Sequence, residues 1–339
     1  MSKIMITGGG GYIGSILTGQ LLEAGHDVVV LDWFVFGVHR LDAYKGNPKL
    51  TLLNQDVRTV KPSQIKDVEI ICDLAALSND PAGDLDANLT RQINFEARAR
   101  LGRIAKSMGV KRYMLASSCS VYGANGDLAA TEESQINPLT TYAECNALAE
   151  QALFELNDDD FCVTAFRNST AFGVSPRMRF DLVVNIMTLN ALNDQEITIH
   201  GDGLQHRPLI HIADISAAFV KAIESEINVV SGQVFNLGTT NVTIADLANT
   251  VAKILPMDID IKYQPNNADA RDYTVSFEKM RHRLGLNPKM QIENGITEVF
   301  HAVLHGETKL SPDTITLNRY KEVMANNESI IKQMKSISA

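Results

Sequence analysis

The stretch MITGGGGYIGSILTGQLLEAGHDVVVLD sets Gly8, Gly11 and Gly14 at three-residue intervals, after one apolar run and at the head of a helical pattern. Glycines so spaced permit a tight turn and let the N–H groups at a helix start approach an anion closely. A pyrophosphate suits that geometry. The next apolar run ends on Asp32, a carboxylate placed to accept hydrogen bonds from an adenosine ribose. Together these features indicate a dinucleotide site, with Gly8, Gly11, Tyr12, Ile13 and Gly14 as its expected loop contacts. A carboxylate at the ribose repels a 2′-phosphate, and Trp33 and Phe34 beside it bring no cation, so NAD is favoured over NADP. Asp56, closing the run LLNQD, is a second strand-end acid and a candidate adenine contact.

The elements that must position these groups are visible as alternating patterns. KIMIT, DVVVLD, LTLLNQD, EIICDLAAL and RYMLASS read as strands, interleaved with helical periods such as YIGSILTGQLLEAG and NFEARARLGRIAKSMG. Alternation of this kind implies βαβ units, and hence an α/β, Rossmann-type doubly wound parallel sheet with helices on both faces. Gly25 and Gly109 stand where two of the helices should stop. After about residue 170 the rhythm breaks into loops, which suggests a smaller α/β substrate domain built from insertions. The expected division is a dinucleotide-binding domain over 1–172 plus about 208–240, a second domain over about 173–207 and 241–310, and a polar helical tail over 311–339. PLIHIADISAAFVKAIES reads as a strand and helix returning to the main sheet, and Thr243 as the N-cap of an amphipathic helix.

Composition narrows the function. The 339 residues, 45% hydrophobic and 21% charged, suit a globular chain of one large unit or two domains. A net charge of -9 offers no broad basic face for a phosphate backbone, which argues against nucleic acid as a partner. Cys72, Cys119, Cys145 and Cys162 have no metal-ligand spacing and lie in or beside apolar runs, as expected of buried thiols in a reducing compartment. With a strand pattern beginning at Lys3 and no run near the roughly 20 apolar residues of a membrane span, no membrane association and a cytoplasmic location are the expectations. His200, His206 and His211 lack acidic or sulfur partners in sequence, so no metal site is expected, and the Asn157–Asp160 run NDDD reads as a solvated turn.

With TGGGGYIG, SSCSVYG and TYAECNALAE in this order, the chain resembles the extended short-chain dehydrogenase/reductases, in particular the NAD-dependent nucleotide-sugar epimerase/dehydratase family. The resemblance runs from Lys3 to about Glu298 and is nearest to the UDP-galactose 4-epimerase pattern. It implies a C4 epimerase working through a transient 4-keto sugar, on a nucleotide-diphosphate sugar, as a homodimer joined through helices near 91–108 and 142–156. It also implies that Ser118 hydrogen-bonds the sugar 4-oxygen and that Tyr142, which contacts the cofactor too, takes the proton of the C4 hydroxyl, with Glu150 following at the usual interval. Dehydratases of the family carry an Asp-Glu pair after the serine. Here that pair is Cys119 and Ser120, which lack the required acid and base.

Asn146 stands where the family has a lysine. A free tyrosine has a pKa near 10 and is roughly 0.1% ionised at pH 7, so a nearby cation matters. Asn146 can replace the lysine's hydrogen bonds to the nicotinamide ribose but not its charge. Three explanations stay open: another cation or the nicotinamide's own charge, an inactive or binding-only homologue, and an altered sequence; the alternative activity is that of a nucleotide-sugar C4 oxidase or ketoreductase. On the substrate side the resemblance points to Asn185, and to Arg179, Arg207 and Arg271 as partners of the diphosphate, a task for which the guanidinium fork is suited. Phe172 replaces a frequent tyrosine and is expected to pack.

Overall fold

The computed structural model describes residues 1–124, 129–265 and 272–326. In chain order the strands among them are β1 (Lys3–Thr7), β2 (Asp27–Asp32), β3 (Leu50–Asn54), β4 (Ile70–Asp73), β5 (Arg112–Ser118) and β6 (Cys162–Asn168), then β7 (Thr170–Phe172), β8 (Glu196–His200), β9 (His206–His211), β10 (Gln233–Leu237), β11 (Thr240–Thr243) and β12 (Asp260–Gln264). Seven of them form a parallel sheet in the order β10-β6-β5-β4-β1-β2-β3. The order reverses between β1 and β4, and a ligand crevice is expected outside the carboxyl ends of the strands at that switch point. Strands covered on both faces read as continuous apolar runs, and Ile4, Met5 and Ile6 are all fully buried.

Alternate side chains of this sheet feed two cores. Ile4, Ile6, Val28 and Val30 pack with Leu17, Leu21 and Phe219 under the helices Tyr12–Glu23 and Ile212–Glu224. Met5, Val29, Leu31 and Ile71 pack with Leu101, Ala105 and Leu153 under Arg98–Ser107 and Thr141–Phe154. The glycines at the helix ends hold the expected left-handed conformation, with φ of 85° at Gly25 and 80° at Gly109. All four cysteines are free and buried.

A separate apolar cluster joins Phe172, Val184, Ile197, Leu247 and Ile296 under the helices Val183–Asp194, Ile244–Ile254 and Ile292–Leu304. Thr243 caps the second of these by accepting from the Asp246 N–H. Here one expectation is corrected. The strand of PLIHIADIS, β9, pairs with β7 and β11 in a three-stranded sheet, and it is β10 that extends the main sheet beside β6. Periodicity reports that a segment is a strand; which edge it joins depends on long-range packing that the pattern does not encode.

The segment after Ser311 also does more than trail. Its helix Thr316–Asn326 buries Thr316 and Val323, and Arg319 donates to the Val35 carbonyl in the loop after β2. The expected tail thus packs on the body as far as it is described. No helix among the described residues is long and apolar enough to cross a membrane.

Candidate active site

The glycine loop joins β1 to the helix Tyr12–Glu23, and its backbone accounts for its composition. Gly8 has φ of 71°, and a Cβ at Gly14 would lie 2.2 Å from the Gly8 carbonyl oxygen. Neither position accepts a side chain without rearrangement. The helix begins at Gly11 without a side-chain cap or an acid in its first turn, so its first N–H groups, those of Tyr12 and Ile13 included, are left for an anion. Asp32 closes β2 and receives the N–H groups of Gly10 at 2.9 Å and Phe34 at 2.6 Å. Burial raises its pKa, and these two bonds oppose the rise. This cradle, with a carboxylate at the next strand end, fits NAD.

The other expected cofactor residues are tied into the protein. Tyr12 donates to the Gly173 carbonyl at 2.6 Å, and Ser15 meets Ser175 at 3.0 Å, so the glycine-loop helix is pinned to the loop after β7. Asp56 caps a short 3-10 turn and pairs with Arg58 at 2.7 Å.

Across the crevice, the helix Thr141–Phe154 is capped by Thr140, whose hydroxyl accepts from the Ala143 N–H and donates to Asp80. That cap places Tyr142 in the first turn, half-buried, facing Ser118 at the end of β5. Burial raises the Tyr142 pKa; the Arg98 charge lowers it, the Asp80 charge raises it, and hydrogen bonds from Asn146 and Ser118 lower it. Asn146 is fully buried. Its Nδ2 donates to the Tyr142 carbonyl at 3.0 Å, and its Oδ1 accepts from Arg98 Nη1 at 2.9 Å.

The two residues following Ser118 differ: the buried Ser120 hydroxyl has no hydrogen-bond partner among the described residues, whereas Cys119 is held. The Cys119 thiol donates to the Arg167 carbonyl at 3.1 Å, and burial pushes its pKa up to about 12. Glu150 is bound by Arg167 at 2.7 Å and accepts from Ser117 at 2.5 Å, which makes it the brace between β5, β6 and the tyrosine helix. Phe172 is buried against His211, which pairs with Glu298 at 2.7 Å. In the NDDD run, Asp158 accepts from Asp160 and Phe161 N–H groups, as a turn does.

On the substrate side the structure redistributes the expected roles. Arg179 is buried and binds Asp181 through two hydrogen bonds, of 3.0 and 2.8 Å, while lying within electrostatic range of Tyr142. Burial resists ionisation of Asp181, but the Arg179 charge and hydrogen bonds hold its pKa below the usual value. Arg207 is buried on β9. Asn185 is corrected: fully buried, it accepts from the Gly173 N–H and donates to the Arg179 carbonyl and the Tyr12 hydroxyl. Its amide locks the wall behind the crevice and has no surface for a ligand. Arg271 lies outside the described residues. Arg177, two residues before Arg179, stacks over Phe36 at 3.7 Å and donates to Thr316; burial and the nearby Arg179 lower its pKa to about 9.

Residues 4–238 match the family model described as the NAD dependent epimerase/dehydratase family. The chain belongs to this family. Its members are NAD-dependent enzymes acting on nucleotide sugars. The chain is 28% identical over 305 residues to UDP-glucuronic acid decarboxylase 1 of Danio rerio, covering 87% of this chain and 71% of that one. To the putative UDP-glucose 4-epimerase of Methanocaldococcus jannaschii it is 26% identical over 312 residues, covering 87% and 96%. The fold is shared with a UDP-N-acetylglucosamine 4-epimerase from Methanobrevibacter ruminantium in complex with UDP-N-acetylmuramic acid, with a TM-score of 0.82 at 24% identity over 90% of this chain and 99% of that one. It is shared equally with UDP-glucuronic acid 4-epimerase from Bacillus cereus in complex with UDP-glucuronic acid and NAD, with a TM-score of 0.81 at 22% identity over 89% and 99%.

Sequence reasoning within this family frame missed Arg98, Asp73 and Asp80. One signal was present: Arg98 interrupts the otherwise apolar or small stripe of Ala97, Leu101 and Ala105, all buried. A charge on the buried stripe of a helix calls for a partner.

Proposed function

We propose that the chain is an NAD-dependent nucleotide-sugar 4-epimerase that works through a transient 4-keto sugar. The observation that carries the reading is the pairing of Tyr142 with Ser118 at the switch-point crevice, followed by a thiol and a hydroxyl where an eliminating enzyme needs an acid and a base. Bound NAD supplies a hydride acceptor and donor for a sugar carbon, which lets a stable stereocentre pass through a planar carbonyl. Tyr142 Oη takes the proton of the C4 hydroxyl as the carbonyl forms and returns it as the carbonyl is reduced. Ser118 Oγ holds the 4-oxygen against Tyr142. Gly8, Gly11, Gly14 and Asp32 hold the cofactor, and Arg179 and Arg207, with Arg271, are the candidate contacts of the sugar-nucleotide diphosphate. In this reading the seven-stranded sheet is the cofactor half, the β7-β9-β11 region belongs to the substrate half, and the protein is a homodimer through helices near 91–108 and 142–156.

The relatives make one alternative specific. A 4-keto group formed on a sugar with a carboxylate on C5 is a β-keto acid, which loses carbon dioxide readily. The test is proton NMR of the purified protein, supplied with NAD, on UDP-, dTDP- and GDP-hexoses deuterated at C4 and on UDP-glucuronic acid. Inversion at C4 with deuterium retained supports the epimerase. Accumulation of a keto sugar would replace it with an oxidase, loss of carbon dioxide with a decarboxylase, and binding without turnover with a non-catalytic homologue.

A further inference from the structure

The lysine missing from the tyrosine helix has a counterpart on the helix beside it. We infer that Arg98 supplies, through Asn146, the positive charge against which Tyr142 works, so that cation and tyrosine come from neighbouring helices. The inference rests on the reading of Tyr142 as the proton acceptor, and it makes Arg98 a positioning residue rather than one that touches substrate.

Three features carry it. The first is placement. The chain runs through a wider π turn over Gln92–Ala97 before resuming an α-helix at Arg98, and Arg98 is left 1% exposed, facing the tyrosine helix. Such π turns shift helix register and recur at functional sites. The second is connection. Nη1 donates to Asn146 Oδ1 at 2.9 Å and Nη2 to the Ala116 carbonyl at 3.3 Å, on the strand that ends in Ser118. With its oxygen held by Arg98, Asn146 must present its NH2 group toward Tyr142, so the guanidinium sets the amide's orientation.

The third feature is that Arg98 is only loosely bound to its buried acid. Asp73 already accepts the hydroxyls of Thr7 and Tyr113 at 2.5 Å each, whereas Arg98 Nε lies 3.9 Å from it and has no hydrogen-bond partner among the described residues. A guanidinium serving only as counterion would form the two-pronged carboxylate pair seen between Arg167 and Glu150. The arrangement also explains Asn146 itself: a lysine there would set a second cation against Arg98 in a dry site.

The charged groups around Tyr142 are Arg98, Asp80 at the start of the short helix Asp80–Gly83, and Arg179, the last committed to Asp181. Removing Arg98 takes away the charge that lowers the Tyr142 pKa, so the phenol becomes harder to ionise. The direct test is spectroscopic and independent of turnover. The phenolate absorbance of the NAD-loaded protein is titrated, and the Tyr142→Phe titration is subtracted to isolate Tyr142. In Arg98→Gln, which keeps an amide donor for Asn146, and in Arg98→Met, the Tyr142 midpoint is expected to rise by about one unit, a tenfold loss of phenolate at fixed pH.

Where turnover is present, the alkaline rise of kcat should move up by the same amount with KM little changed. An unmoved Tyr142 midpoint in folded Arg98→Gln would overturn the inference and leave Arg98 as the Asp73 counterion. If a single variant does not fold, Asp73→Asn with Arg98→Gln removes both buried charges together; the same rise then supports the inference, and an unmoved midpoint overturns it. Failure of the epimerase assay with a shifted midpoint would sink the C4 reading and leave the role of Arg98 standing.

Discussion

The two walls of the crevice are built on opposite principles. On the wall proposed to hold the cofactor, the groups lie within one βαβ unit: a turn with positive φ at Gly8, a helix start free of caps, and Asp32 at the next strand end. On the wall proposed to be catalytic, Tyr142, Ser118, Asn146 and Arg98 come from three separate elements, and the Arg98–Asn146 bond spans 48 residues of chain. The first wall is a local backbone shape and the second a long-range charge arrangement. A local shape admits almost no substitution, because each position is set by sterics. A charge arrangement can be redistributed, because a cation acts from whichever helix brings it near.

The largest effect that would sharpen this contrast is on the cofactor wall. Gly14→Val is expected to abolish NAD binding, by about 100-fold or more in calorimetry, since its Cβ would begin 2.2 Å from a carbonyl oxygen. Retained binding in that variant would mean the loop is more plastic than its geometry states. Next comes Tyr142→Phe, for which kcat should fall by roughly 10²–10⁴ while NAD affinity stays within about twofold. A parallel loss of affinity would show that Tyr142 holds the cofactor as much as it serves the sugar.

Asn146→Lys tests the redistribution of charge. Two cations in one buried corner should lower stability by on the order of 3 kcal/mol in denaturant unfolding, and Arg98→Thr in the same chain should recover most of it. Simple additivity of the two changes would break the link between the helices. Asp32→Ala should then weaken NAD about tenfold, as expected for loss of hydrogen bonds to a carboxylate. The smallest effect concerns acid. The Asp181 pKa is held below its unfolded value, so its stabilising contribution is complete above that value and lost as pH falls through the lower, folded one. Acid unfolding of Asp181→Asn should therefore lack this component, a difference of about 1 kcal/mol between neutral and strongly acidic pH.

Much of the protein is legible in the sequence where local rules apply. The strands of the main sheet up to Ser118, the Thr243 cap and the glycine stops at Gly25 and Gly109 follow from periodicity and backbone freedom. Tyr142 and Ser118 are legible through motif spacing, and the structure brings the two together. Asn185 is misread because an asparagine's sequence context does not reveal whether its amide meets ligand or backbone, and here three protein groups take it. The strand β9 is misassigned to the main sheet because alternation carries no information about pairing partners.

By itself the sequence determined the α/β class, the NAD cradle and the loss of the lysine, because each depends on residues close together in the chain or on a missing side chain. Only the tertiary structure decided that β10 and not β9 completes the sheet, that Asp181 holds Arg179, and that Arg98 stands against Asn146. The reason is physical. Backbone sterics act over a few residues and are written in composition and spacing, whereas Coulomb and hydrogen-bond partners are chosen by distance in space, which exists only once the helices have packed.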